Sequence, residues 1–109
     1  MADTTIAFFG IRLEVCDDDL EALELRSHRA VVNAKKAGLE HYWGNFGAPG
    51  ERYLLFVGKP LGKLGVEDST EIRVSPEQFV QIATDVAGRL VKAGFSDTPS
   101  LFLQFQADS

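Results

Sequence analysis

Cys16 is the only thiol in the chain, and Asp17, Asp18 and Asp19 follow it directly. A thiol at the junction of a strand and a helix N-terminus can become a nucleophile, because the helix dipole favours the thiolate. Three adjacent carboxylates oppose that by disfavouring a further negative charge. The balance predicts a structural cysteine, buried or half-buried, rather than a catalytic one. The aspartates themselves offer hard oxygen ligands. Consecutive residues on an opening helix diverge, however, and the spacing of a calcium loop is missing, so capping of the helix is their expected role.

His28 and His41 are the only histidines. No His-x-x-x-His or Cys-x-x-Cys spacing accompanies them, so neither a metal nor another cofactor is expected. His41, beside Tyr42 and near Arg52, has the residue type for a general base but no placed partner. Gly58-Lys59-Pro60-Leu61-Gly62-Lys63-Leu64-Gly65 invites a phosphate-loop reading. Its Gly58 to Gly62-Lys63 spacing is one residue short, Leu64 stands where Ser or Thr is needed, and a strand rather than a helix is expected next. Without a helix N-terminus the anion site is not built. The segment therefore reads as a loop whose two lysines could meet an acidic partner.

A chain of 109 residues with 45% hydrophobic and 25% charged residues fits one globular domain, 1–109. Its net charge of −5 disfavours nucleic acid and anionic membranes, which need a basic footprint. A single cysteine suits a reducing compartment. No apolar run approaches the length of a membrane span, and Met1–Thr5 carries no basic leader, so a cytoplasmic location is expected.

The elements that must position these residues follow from hydrophobic period. Thr5–Val15 alternates, with Ala7, Phe9, Ile11, Leu13 and Val15 on one face: a strand. Asp18–Ala37 predicts a helix, with Leu20, Leu23, Ser27, Val31 and Ala34 as its inner stripe, ended by Gly38. Leu39–Gly58 predicts a hairpin closed by Gly47-Ala48-Pro49-Gly50. That closure pairs Trp43 with Leu54 and His41 with Phe56, which places Trp43, Leu54 and Phe56 in the core. The 58–69 segment is expected as a loop, and Thr70–Val74 as a short strand. Ser75-Pro76-Glu77-Gln78 is a strong helix start, and Phe79, Ile82, Ala83, Val86, Leu90 and Ala93 form one stripe up to Gly94. Ser100–Ala107 closes the chain as a strand, with Leu101, Leu103 and Phe105 inward.

The order is β-α-β-β-β-α-β. It predicts an α+β two-layer sandwich: a mainly antiparallel sheet with two helices on one face, a ferredoxin-like variant with one added strand. The uncovered face would show Tyr42, Phe46, Tyr53, Leu55 and Phe102, with Arg73 among its polar rim. Such a surface suits a protein partner or a second copy, either there or along a sheet edge. The alternative is a small-ligand binder or enzyme, its cleft lying between that face and the 58–69 loop, with His41, Arg52, Lys59 and Lys63 as polar candidates.

Overall fold

The alternation in the first segment forms β1 (Thr4–Val15) in the computed structural model, which describes residues 3–47 and 50–107. A 3-10 turn (Asp17–Asp19), α1 (Leu20–Glu24) and α2 (Arg29–Lys36) follow, then β2 (Glu40–Asn45), β3 (Tyr53–Gly65), α3 (Pro76–Lys92) and β4 (Ser100–Gln106). The fold is α+β: four antiparallel strands in the order β2-β3-β1-β4 with a helical layer on one face. The expected fifth strand is absent among the described residues. Thr70–Val74 runs as irregular chain, its Ile72 set against Gly62. Only one isolated bridge, Leu64 to Ser69, joins this region to β3.

β3 instead continues straight through the expected loop. Its residues Gly58 to Gly65 pair with Gly10 to Thr4 of β1, with a bulge that leaves Leu61 between Pro60 and Gly62. β2 stops at the partner of Gly58, so Pro60 lies where β3 has a ladder on one side only. That is where a strand tolerates a missing N–H.

Gly10 and Gly58 face each other at the middle of this long pair. A Cβ on Gly10 would sit 2.0 Å from the Val57 carbonyl oxygen, and one on Gly58 would sit 2.2 Å from that of Phe9. The backbones touch as no other residue would allow. The sheet coils there so tightly that opposite corners of its outer face meet. The Tyr42 hydroxyl donates to Gln106 Oε1 at 2.9 Å, and Gln106 Nε2 donates to the Asn45 carbonyl at 3.2 Å.

The hairpin register differs by one residue from the expected one. Trp43 pairs with Leu55, Tyr42 with Phe56 and His41 with Val57. Asn45 sets this. Its Oδ1 accepts from the Gly47 and Arg52 amides, both at 3.0 Å, and its Nδ2 donates to the Gly50 carbonyl at 3.0 Å. Phe46 consequently bonds to Arg52, and a wider loop replaces the tight turn. Ala48 and Pro49 of that turn lie outside the described residues. The slip exchanges the faces of β3: Leu55 and Val57 join the helix-side core with Phe9, Ile11 and Trp43, whereas Leu54 and Phe56 turn to the other face.

The expected helix over 18–37 breaks into two. α1 ends with the Ser27 amide on the Ala22 carbonyl (2.8 Å) and the Arg26 amide on that of Leu23 (3.1 Å). His28 then caps α2, its Nδ1 accepting from the Ala30 amide at 3.1 Å. The break lets Leu23, Val31 and Ala34 all bury on the coiled sheet. The same paired-bond ending closes α2 at Gly38 and α3 at Gly94, with φ of 77° and 89°. At α1 the left-handed position is held by Arg26, φ 56°. α3 matches expectation: Ser75 Oγ accepts from the Gln78 amide at 3.2 Å, and Gln78 Oε1 accepts from the Ser75 amide at 3.0 Å.

Three backbone positions give stability predictions. Gly58→Ala must part the central strands and should lower stability by more than about 3 kcal/mol. Gly88→Ala, with nothing within 4 Å of the added Cβ, should raise it by about 1 kcal/mol. Arg26→Gly should also stabilise, by roughly 1 kcal/mol, because it removes the left-handed penalty of a side chain. Urea melts of the three variants check all of this; an unaffected Gly58→Ala protein would refute the close approach.

Candidate interaction surface

The last strand carries the least satisfied surface. β4 bonds to β1 along one side and is the sheet's edge on the other. Its Phe102 turns to the outer face and packs on Phe56, ring centroids 5.6 Å apart. Leu101, Leu103 and Phe105 point to the helix side, as expected, yet remain 46%, 67% and 53% exposed. The helices stop short of them: α3 lies over β1 and β3, and α2 over β2 and β3. Arg89 Nη1 donates to the Ala37 carbonyl at 3.0 Å, so that flank of α3 faces α2. Val80 and Val91 lie half a helical turn around from Arg89, and both are exposed. Ser100–Gln106 contains no charge and no proline, the residues that usually protect an edge strand.

The outer face is closed by its own side chains. Ile6, Phe8, Leu54 and Phe56 form a second buried cluster there, with Tyr42, Phe46 and Phe102 packed against it. The Arg12 guanidinium lies 5.0 Å from the Phe102 ring centroid, and Lys63 Nζ 4.9 Å from that of Tyr42. Arg12 Nη1 also donates to Gln104 Oε1 at 2.8 Å. Of the residues expected on this face, Tyr42, Phe46 and Phe102 are there, half-buried. Leu55 is not: the register slip sends it to the helix side, fully buried. Tyr53, two positions along the same strand, goes with it. Arg73 is exposed on the 66–75 segment, with Glu71 3.6 Å away.

The four residues expected to line one cleft are separated. The segment expected to enclose them as a loop, 58–65, is instead part of β3. Arg52 pairs with Glu14 at 3.1 Å beside Cys16 and Tyr53. Lys59 lines a shallow groove between β3 and the start of α3, and Lys63 covers Tyr42. His41 opens to the helix side, in a cleft with Arg26, Lys35, Lys36 and Leu39. Burial and then the Arg26 charge hold its pKa below the ordinary value near 6.5. Sequence reasoning did not single out Arg26; its only signal was the lack of a glycine where α1 had to end.

Cys16 is exposed, not buried or half-buried as expected. Its Sγ donates to Asp19 Oδ2 at 3.3 Å, and the same oxygen accepts from the Cys16 amide at 3.2 Å. Asp19, through that hydrogen bond and then its charge, pushes the thiol pKa up, while the two Cys16 bonds hold the Asp19 carboxyl low. The capping role expected of the aspartates thus falls to Asp19. No group of His, Cys, Asp and Glu among the described residues could hold a metal ion. Cys16 should alkylate more slowly than free cysteine at the same pH, and Asp19→Asn should speed it a few-fold. Iodoacetamide kinetics followed by mass spectrometry check this.

No helix of the described residues is long and apolar enough to cross a membrane. Comparison with protein-family models, with curated proteins and with solved structures finds no match to this chain.

Proposed function

We propose that this protein is an interaction module that works through β4, and that its partner there is a second copy of the chain. The observation that carries the reading is the alternation of exposed Leu101, Leu103 and Phe105 along an unprotected edge strand. Backbone groups on the open side of β4 can bond to an added strand, and alternate side chains can supply the apolar contact. An antiparallel pairing of β4 with β4 is self-complementary, as a two-fold contact requires. Leu101, Leu103 and Phe105 form one exposed apolar row along the edge, the kind of patch that marks an interaction site. The outer sheet face is the weaker surface, because its aromatics pack on one another.

The β-α-β-β-α-β order with sheet order β2-β3-β1-β4 supports reading the fold as the split β-α-β arrangement of ferredoxin-like domains. A cytoplasmic location is proposed on the exposed, unpaired thiol of Cys16.

Sedimentation equilibrium tests the pairing. The wild-type chain should have twice the monomer mass at micromolar concentration, and Leu103→Lys should be monomeric. Leu103 is exposed within one chain, so the variant should keep monomer stability within about 0.5 kcal/mol. A wild-type protein that stays monomeric at high concentration would overturn the proposal.

A further inference from the structure

We infer that the cleft between the end of α1, the outer flank of α2 and the start of β2 binds an amphipathic organic anion, with its apolar body on Val31 and Leu39 and its carboxylate or phosphate among Arg26, Lys35, Lys36 and His41. The inference is independent of the β4 pairing, which lies across the molecule on the other edge of the sheet.

Three observations converge on this place. The first is shape and floor: the cleft measures about 650 Å³, and Val31 and Leu39, 2% and 8% exposed, form part of its wall. That volume falls within the usual range of small-molecule sites, which pair an apolar lining with a few convergent polar groups.

The second is charge. Three cationic side chains and an imidazole line one cleft of a chain whose net charge is −5, with Glu40 the single carboxylate among the lining residues. Lys35 and Lys36 have a local reason to be there, since they complement the C-terminal pole of α2. Arg26, just past the C-terminal end of α1, complements that pole in the same way, but His41 has no reason of that kind. Burial and then the Arg26 charge hold His41 toward its neutral form. An anion bound beside them would favour the protonated imidazole and so gain a further cationic partner.

The third is strain. Among the described residues Arg26 is the only non-glycine with positive φ. The equivalent position in each of the other two helix endings is glycine. The fold thus supplies its own control: the ending works best with no side chain, and at this cleft it keeps a guanidinium. Backbone held in an unfavourable region to present a side chain is a mark of binding sites. A guanidinium is also the cation that matches carboxylate and phosphate in bidentate fashion.

Octanoate and octyl phosphate serve as probes, with octanol as the uncharged tail and inorganic phosphate as the tailless anion. In NMR titrations of the full chain, at least one amphiphilic anion should shift the His41 ring and the Val31 and Leu39 methyls saturably, and the tighter of the two identifies the headgroup. Octanol and inorganic phosphate should bind at least tenfold more weakly. Arg26→Gly should lower affinity at least tenfold while raising the melting temperature, an opposition that a purely structural arginine would not give. Lys35→Glu should weaken binding without stabilising the fold. Octanol binding as tightly as octanoate, shifts confined to Leu101–Phe105, or undiminished affinity in Arg26→Gly would each overturn the inference.

Discussion

Gly10 and Gly58 bring two backbones closer than any pair of side-chain-bearing residues permits, and most of the architecture follows from that approach. A flat four-stranded sheet with helices on one side would leave its other face open to water. Coiling at the glycine pair turns that face inward until Tyr42 and Asn45 of β2 meet Gln106 of β4. The sheet then buries apolar residues on both faces: Phe9, Ile11, Leu55 and Val57 under the helices, Ile6, Phe8, Leu54 and Phe56 against their own kind. Polar groups finish the second cluster, as Arg12 and Lys63 lay their charges over aromatic rings and stay hydrated beyond them.

The same coil decides what is left uncovered. Helices that follow the curved middle of the sheet bury Leu23, Val31, Val86 and Leu90, but cannot also reach the outermost strand. The first helix must even break, at Arg26–His28, to keep contact. Two surfaces result, at opposite edges of the sheet. One is apolar and uncharged along β4; the other is a cationic cleft beside β2.

Much of the fold was legible because local chemistry and tertiary need agreed. Ser75-Pro76 through Gly94 carries a cap, a period and a stop that all specify one helix, and β1 alternates cleanly from Phe9 to Val15. Legibility failed where pairing outweighed local preference. Gly58–Gly65 has the composition of a loop, yet β1 needs a partner along its whole length, and strand pairing overrides the glycines and proline. The hairpin register depended on one side chain, Asn45, whose three bonds set the loop width. Period-two patterning cannot detect a shift in a strand that is apolar at four consecutive positions, Leu54 to Val57. The candidate surface was half legible: Leu101, Leu103 and Phe105 were assigned to the correct side of the sheet, but their exposure depends on where α3 lies. The cleft was not, since Arg26 and His41 come together only through the break and the register.

Closure of the outer face by Tyr42 and Gln106 joins residues 64 positions apart, with the seal supplied by the final strand. A chain emerging from the ribosome therefore cannot close the cluster of Phe8 and Phe56 until β4 has been made. Such late, non-local closure makes folding slow and leaves the nascent chain dependent on whatever shields it meanwhile. The exposed interval is the one before β4 can complete the small aromatic core.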